Sequence, residues 1–287
     1  MALYDGYGNP IEVSGGASTS EIGVTEYASF TNDDGESARQ AVLTYNGKKL
    51  YPKNYPEQRI DFVKDYCGGV MLTLGDSYTA MASGYYDTFA SAHGLVQDNR
   101  GVASSTIAGD EACNVGYKPF WSRLNTAVAE YASGKTINGT VYTAEDVKLI
   151  VFMGGANDWY IVDETQGIDR LGDPTSEDKT QLHGACKYIF DTLLSNFRNA
   201  DIVVILQPCN AAGGNYPMWL KEGIVRDMAE MYSLPICDCC FEWHNPSNPT
   251  DLVTYWQSDK LHMTEAGNNA IMDKLEKTVN NLPFTRN

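Results

Sequence analysis

From Val70 onward, short apolar runs alternate with amphipathic stretches, and few folds accept that pattern. The runs are Val70 to Leu74, Leu95 to Asp98, Val147 to Met153, Asp201 to Gln207 and Leu234 to Asp238, each ending in polar or glycine residues. Between them apolar side chains recur at helical spacing. Phe120, Leu124, Val128 and Tyr131 form one stripe, opened by Pro119 and closed by Gly134, and Leu182, Cys186, Ile189, Leu193 and Phe197 form another. Met81, Tyr85 and Phe89 mark a helix after the first run, while Trp219 to Tyr232 and Thr264 to Val279 complete the set. Strands that are apolar throughout must be covered on both faces, and parallel strands need crossover helices that supply the cover. The expected fold class is α/β, a three-layer α/β/α sandwich around a parallel sheet. Ligands in such sheets bind at the carboxyl ends of the strands, so chemistry is expected just after each run.

The first stretch of the chain breaks this pattern. Gly, Ser, Thr, Asn and Asp dominate residues 1–65; Ser14 to Ser20 and Thr31 to Gly35 read as loops, Gly23 to Phe30 and Ala41 to Tyr45 as short strands. An N-terminal appendage over 1–65, with attachment or homo-oligomerisation as its role, and a larger domain over 66–287 are expected. A formal charge of -16 and a pI near 4.5 repel phosphates, which argues against nucleic acid and anionic membrane as partners. No run approaches the length of a membrane helix, and Met1-Ala2-Leu3-Tyr4-Asp5-Gly6 lacks the basic-then-apolar profile of a signal peptide, so the expected compartment is the cytoplasm. Seven cysteines are an odd count without a disulfide-framework spacing and read as thiols. Cys237-Asp238-Cys239-Cys240 holds one Cys-x-x-Cys spacing, but with only His244 nearby it reads as small residues on a buried strand, not as a metal site.

The strand ends carry the chemistry. The first run breaks at Gly75-Asp76-Ser77 into a helix, which suits an N-cap serine and equally a nucleophile whose hydroxyl points out of the sheet. After the second comes Asn99-Arg100-Gly101, where Gly101 has no side chain to shield its N–H from a substrate. After the third comes Gly154-Gly155-Ala156-Asn157-Asp158, which offers the Asn157 side-chain amide as a second oxyanion donor. Past the last strand lies Asp259-Lys260-Leu261-His262, a spacing that lets a carboxylate orient an imidazole. Each signal is weak alone. Together they supply nucleophile, oxyanion donors, base and orienter in an order that a parallel sheet gathers into one cluster. His244, in Trp243-His244-Asn245-Pro246, is the rival base; His93 and His183 lie in helical patterns and read as packing or surface residues. Asp76 and Asp158 read mainly as loop holders. Trp159, Tyr160, Trp243 and Trp256, with Tyr255 and, less directly, Asp76, are candidate substrate contacts, the rings reading equally as a sugar platform or as loop packing.

These four blocks resemble those of the SGNH, or GDSL, hydrolase superfamily, over roughly residues 68 to 280. The resemblance implies a five-stranded, flavodoxin-like sheet, with Ser77 as nucleophile, Ser77, Gly101 and Asn157 as the oxyanion hole, and Asp259 and His262 completing the triad. It implies a carboxylic ester hydrolase with no metal or organic cofactor. Met263 stands where the family often has proline, and the appendage precedes a serine block that usually lies near the domain start. The substrate expected is a small-molecule or glycan ester, foremost a short-chain O-acetyl group on a carbohydrate. A lysophospholipase or thioesterase of the same fold is the alternative. The opening Asp5-Gly6-Tyr7-Gly8-Asn9 resembles the starts of some bacteriophage structural proteins, which implies virion association and a glycan-binding tail module carrying the esterase.

Overall fold

The computed structural model describes residues 22–31, 37–45, 48–50, 66, 68–110, 119–158, 162–163, 168–169, 171–210 and 218–282. The chain divides into two compact units, Met1–Asp61 and Phe62–Asn287. In the first, β1 (Ile22–Thr31), β2 (Ser37–Tyr45) and β3 (Lys48–Leu50) form an antiparallel sheet in the order β1-β2-β3. Tyr45 pairs with Lys48 across the β2–β3 pair.

The second unit follows the alternation. Its elements are β4 (Val70–Gly75), α1 (Ser77–Met81), α2 (Ser83–Ala92), β5 (Val96–Gly101), α3 (Phe120–Ser133), β6 (Lys135–Ile137), β7 (Thr140–Tyr142), β8 (Val147–Met153), β9 (Val162–Asp163) and β10 (Ile168–Asp169). Then come α4 (Leu182–Asn196), β11 (Asp201–Leu206), α5 (Met218–Met231), β12 (Ile236–Asp238), α6 (Pro249–Tyr255) and α7 (Glu265–Asn280). Five strands pair in parallel in the order β12-β11-β8-β4-β5. This is the flavodoxin-like order, whose direction reverses between β4 and β8 and opens a crevice at their carboxyl ends. Gly75 stands in register with both Gly101 and Met153, so β4, β5 and β8 end at one level.

Alternate residues of each strand enter opposite cores, as the two-residue side-chain period requires. Leu72, Leu74, Ile150, Phe152, Val204 and Leu206 pack with α3, α4 and α5; Met71, Leu149, Val151, Val203 and Ile205 pack with α2 and α7. Each fully buried side chain of this size contributes about 1.5–3 kcal/mol. Cys186, Cys237 and Cys239 are free thiols inside these cores. His93 is buried with Nε2 2.8 Å from Glu276 Oε2, and His183 Nδ1 lies 2.8 Å from the Leu171 carbonyl, so both pack rather than react.

Two features depart from expectation. Of the stripe Met81, Tyr85, Phe89 only Phe89 is buried: the helix is interrupted at Ala82, and the structure buries Tyr78, Ala82 and Tyr86 with it, while Met81 is half exposed. The buried positions keep the helical period straight through that junction, Ala82 N donating to Tyr78 O and Tyr86 N to Ala82 O, so the inward face starts at Tyr78 rather than Met81. Between α3 and β8 stands an unanticipated hairpin, β6–β7, turning on Asn138 (φ 51) and Gly139 (φ 83). Two successive positive φ values define the tight turn that Asn-Gly favours. Among the described residues no helix is long and apolar enough to cross a membrane.

Candidate active site

β4 ends on a glycine because nothing larger fits. A Cβ at Gly75 would fall 1.9 Å from Thr79 Oγ1 and 2.7 Å from the Met153 carbonyl, so the chain can fold back into α1 only without one. Asp76 caps that helix, its Oδ1 accepting from the Tyr78 amide at 3.0 Å. Ser77 is the first helical residue, so its own N–H has no carbonyl one turn back to receive it. Capping and the serine hydroxyl thus belong to adjacent residues: Asp76 caps, and Ser77, itself 8% exposed, is left free to turn its hydroxyl elsewhere.

The base loop is built locally. Asp259 Oδ1 accepts from the amides of Leu261 (2.9 Å) and His262 (3.0 Å), which turns its other oxygen, Oδ2, to within 2.7 Å of His262 Nδ1. Because a carboxylate only accepts, Nδ1 carries the ring proton and Nε2 presents a lone pair. That nitrogen lies 3.0 Å from Ser77 Oγ. Burial pushes the Asp259 carboxyl up, but the hydrogen bonds from the His262 ring and the Leu261 and His262 amides outweigh it and hold the carboxyl below its usual range. The loop is closed by Gln257 N donating to His262 O at 2.8 Å, and it is tied to α1 by the Tyr78 hydroxyl, which donates to Leu261 O at 2.5 Å.

The two further expected donors stand on the neighbouring strand ends. Gly101 N donates to Asn99 Oδ1 at 2.7 Å, and a Cβ at Gly101 would lie 2.4 Å from Ala80 N. The glycine is therefore required by the close approach of the α1 backbone, which is a different reason from open access for a substrate. Asn157 Nδ2 donates to Ser105 O at 3.0 Å, leaving its second N–H available. Asp158 accepts from the Ile107 and Ala108 amides, both at 3.0 Å, and so fastens the segment after β5 to the end of β8. Gly155, with φ 134, adopts a backbone conformation that side chains disfavour, and a Cβ there would meet Glu222 Oε1 at 2.4 Å.

Beneath the serine lies a buried polar network that sequence reading missed. Gln207, just past β11, donates through Nε2 to Asp76 Oδ2 (2.8 Å), accepts from Ala156 N through Oε1 (2.7 Å), and donates its own amide to Glu222 Oε2 (2.9 Å). Lys221 Nζ reaches Ala156 O at 3.3 Å. Burial raises Asp76 to about 6 and Asp158 to about 7, and pushes Glu222 well above the carboxylate range. The available signal was a glutamine closing an apolar strand and a Lys-Glu pair on an otherwise packed helix face, both of which break the periodic pattern.

Several expected substrate contacts need correcting. Asp76 is 0% exposed with both oxygens engaged, so it touches no substrate. Trp256, 2% exposed, belongs to the core shared with α7, and Trp243 packs against it with ring centroids 5.7 Å apart. His244 is stacked on Tyr255 at 3.6 Å, with Nδ1 4.0 Å from Asp251, whereas the ring on Ser77 is that of His262. Trp256 is thus core, while Trp243, His244 and Tyr255 pack on one another half-buried beside it. Trp159 and Tyr160 lie outside the described residues.

A serine, an imidazole and a carboxylate in hydrogen-bonded line, at the carboxyl edge of a flavodoxin-like sheet, form a geometry suited to acyl transfer. The sequence model of the GDSL-like lipase/acylhydrolase family matches residues 73–270, a span that contains all four blocks. The chain belongs to the GDSL-like lipase/acylhydrolase family. As a member of it, the protein is a carboxylic ester hydrolase with the SGNH fold. Among solved structures, a Lactobacillus plantarum protein is 22% identical with a TM-score of 0.56, the match covering 73% of this chain and 95% of that one; it shares the fold. A lipase/acylhydrolase from Enterococcus faecalis is 14% identical at a TM-score of 0.49, covering 74% of this chain and 95% of that one. An acetyl xylan esterase from Geobacillus stearothermophilus is 15% identical at 0.47, covering 78% and 99% respectively. No curated protein matches the sequence.

Proposed function

We propose that this hydrolase removes short acyl groups, foremost O-acetyl from carbohydrate, through an acyl-enzyme on Ser77. The observation that carries the chemistry is the relay in which His262 Nε2 lies 3.0 Å from Ser77 Oγ and Nδ1 lies 2.7 Å from Asp259 Oδ2. His262 takes the serine proton as Oγ attacks the ester carbonyl, and Asp259 stabilises the imidazolium. The Ser77 N–H, the Gly101 N–H and the Asn157 amide hold the oxyanion, the Gly101 N–H exchanging Asn99 Oδ1 for it. The alcohol leaves with the proton from His262; water, activated by the same nitrogen, then releases the acid and restores Ser77.

A hollow lies beside His262. Tyr78, Met81, Gln257, Met263 and Asn268 line a cavity of about 60 Å³. The charge of -16 favours a neutral alcohol part, such as a sugar, over an anionic one.

Labelling with a fluorophosphonate, read by peptide mass spectrometry, is expected to place one adduct on Ser77. Nitrophenyl esters of increasing acyl length should then be cleaved fastest at acetate. An adduct elsewhere removes the nucleophile assignment. Rates that climb toward long acyl chains instead favour a lysophospholipase or thioesterase.

A further inference from the structure

Arg123 lies in the first turn of α3, yet its guanidinium is turned inward, below the carboxyl edge of the sheet. Nη2 donates to Gly75 O at 2.9 Å and to Ser105 Oγ at 2.9 Å, and Nη1 donates to Arg100 O. Every one of these acceptors sits on a segment that carries a proposed oxyanion donor or holds one in place. Gly75 O belongs to the peptide that leads into Asp76-Ser77. Arg100 O is the other end of the peptide whose N–H is that of Gly101. Ser105 is the residue whose carbonyl receives the Asn157 amide, and its hydroxyl donates on to Val102 O at 2.6 Å.

We infer that Arg123 is a positioning residue of the oxyanion site, one guanidinium orienting the Gly101 N–H directly and tying together the segments that carry or hold the other two donors. This rests on the reading of Ser77 as nucleophile. A peptide unit is planar and trans, so holding Arg100 O fixes the Gly101 N–H on the opposite side. A hydrogen bond to a carbonyl also polarises the amide and strengthens its N–H as a donor. Arginine alone among the side chains has the geometry for this. Its rigid fork of five N–H groups spans acceptors on separate segments, where the lysine ammonium is a single point at the end of a flexible stem. The Phe120 ring, 4.7 Å from Cζ, supports the guanidinium from within the same helix. Burial lowers the side chain to about 10, partly countered by the Asp76 carboxyl, so it stays charged at neutral pH.

The test compares Arg123→Met and Arg123→Lys with the wild type on a nitrophenyl acetate and on the matching thionoester. Oxyanion donors hold a developing O⁻ more firmly than a developing S⁻, so the oxoester-to-thionoester rate ratio reports on the hole itself. Arg123→Met is expected to lower kcat on the oxoester about 10- to 100-fold, below the full 10²–10³ of losing a donor outright. KM should stay within about twofold and the rate ratio should shrink by a similar factor, with Arg123→Lys falling between. A structural role would lower both rates together and leave the ratio unchanged; that result, or an unchanged kcat, overturns the inference. If Arg123→Met does not fold, Arg123→Lys, which keeps the charge and the alkyl stem, is judged by the same ratio. If the wild type neither cleaves the oxoester nor labels on Ser77, the underlying reading has failed, and the positioning role with it.

Discussion

Ser77 and His262, the proposed nucleophile and base, are held in opposite ways. Ser77 stands on a buried lattice drawn from five separated segments, in which Gln207 bonds Asp76, Ala156 and Glu222 across the sheet, and Asp158 pins the loop after β5. His262 stands on a loop of a few residues whose bonds run almost wholly within Gln257 to His262, and whose Asp259 side chain is 45% exposed. One half of the site is a property of the whole sheet; the other is a property of a short peptide. Besides the contact of His262 Nε2 with Ser77 Oγ, the Tyr78 hydroxyl on Leu261 O joins that loop to α1.

The strongest way to break this contrast is on the local side. Asp259→Asn should lower kcat by about 10²–10⁴-fold, because the imidazole loses its orienting anion. The urea midpoint should barely move, since exposed local bonds contribute little to folding. A large fall in that midpoint would show that the base loop is integrated into the fold after all.

On the buried side the balance should reverse. Gln207→Ala leaves Asp76 Oδ2, Ala156 N and their neighbours short of partners, and each stranded buried group costs about 1–3 kcal/mol. Urea unfolding should show a loss of about that size, with a smaller fractional loss of turnover than in Asp259→Asn. A variant as stable as the wild type would remove the lattice as the support of Ser77.

pH separates the two halves by sign. Asp76 and Asp158 are raised to about 6 and about 7, so in the folded state they bind protons that the unfolded chain has already released near pH 4. Their contribution is full below the ordinary carboxylate range and is lost as pH rises through those values, at up to about 1.4 kcal/mol per pH unit for each group. Asp259, held low, works the other way: its contribution is present above the ordinary range and fades as pH falls through its lowered value. Unfolding midpoints measured between about pH 5 and 8 should therefore decline, and Asp158→Asn should flatten the slope. A rising profile contradicts the burial of these acids. The smallest effect expected is for Tyr78→Phe, a loss of about 1 kcal/mol and a few-fold in kcat, read by the same two assays.

This contrast also explains which parts of the site were legible. Asp259 and His262 are three residues apart, and their geometry is written in that spacing. Ser77, Gly101 and Asn157 were legible because the parallel alternation puts successive strand ends on one edge. Gln207 against Asp76 was not, since a pairing 131 residues apart depends on β11 and β4 being separated only by β8, and periodicity does not state strand order. Arg123 hid beside the stripe of Phe120 and Leu124, where helical spacing says which side is buried but not which carbonyls wait there. The ring of Trp256 could not be assigned from sequence because an apolar ring suits a sugar and a core alike; it lies in the core, with Trp243 and Tyr255 partly buried against it. The Asn138-Gly139 turn was written plainly and went unread within a pattern dominated by helices and parallel strands.

That hairpin has a practical consequence. β6 and β7 lead into the amino end of β8, while the serine and its donors gather at the carboxyl ends, so the seven residues of β8 stand between turn and chemistry, roughly 20 Å of strand. Asn138 and Gly139 are exposed, and a tip of this kind accepts foreign chain more readily than any buried segment. It is a ready grafting point, where a fluorescent reporter or a surface anchor can be spliced into the enzyme while the ester-cleaving edge faces the other way.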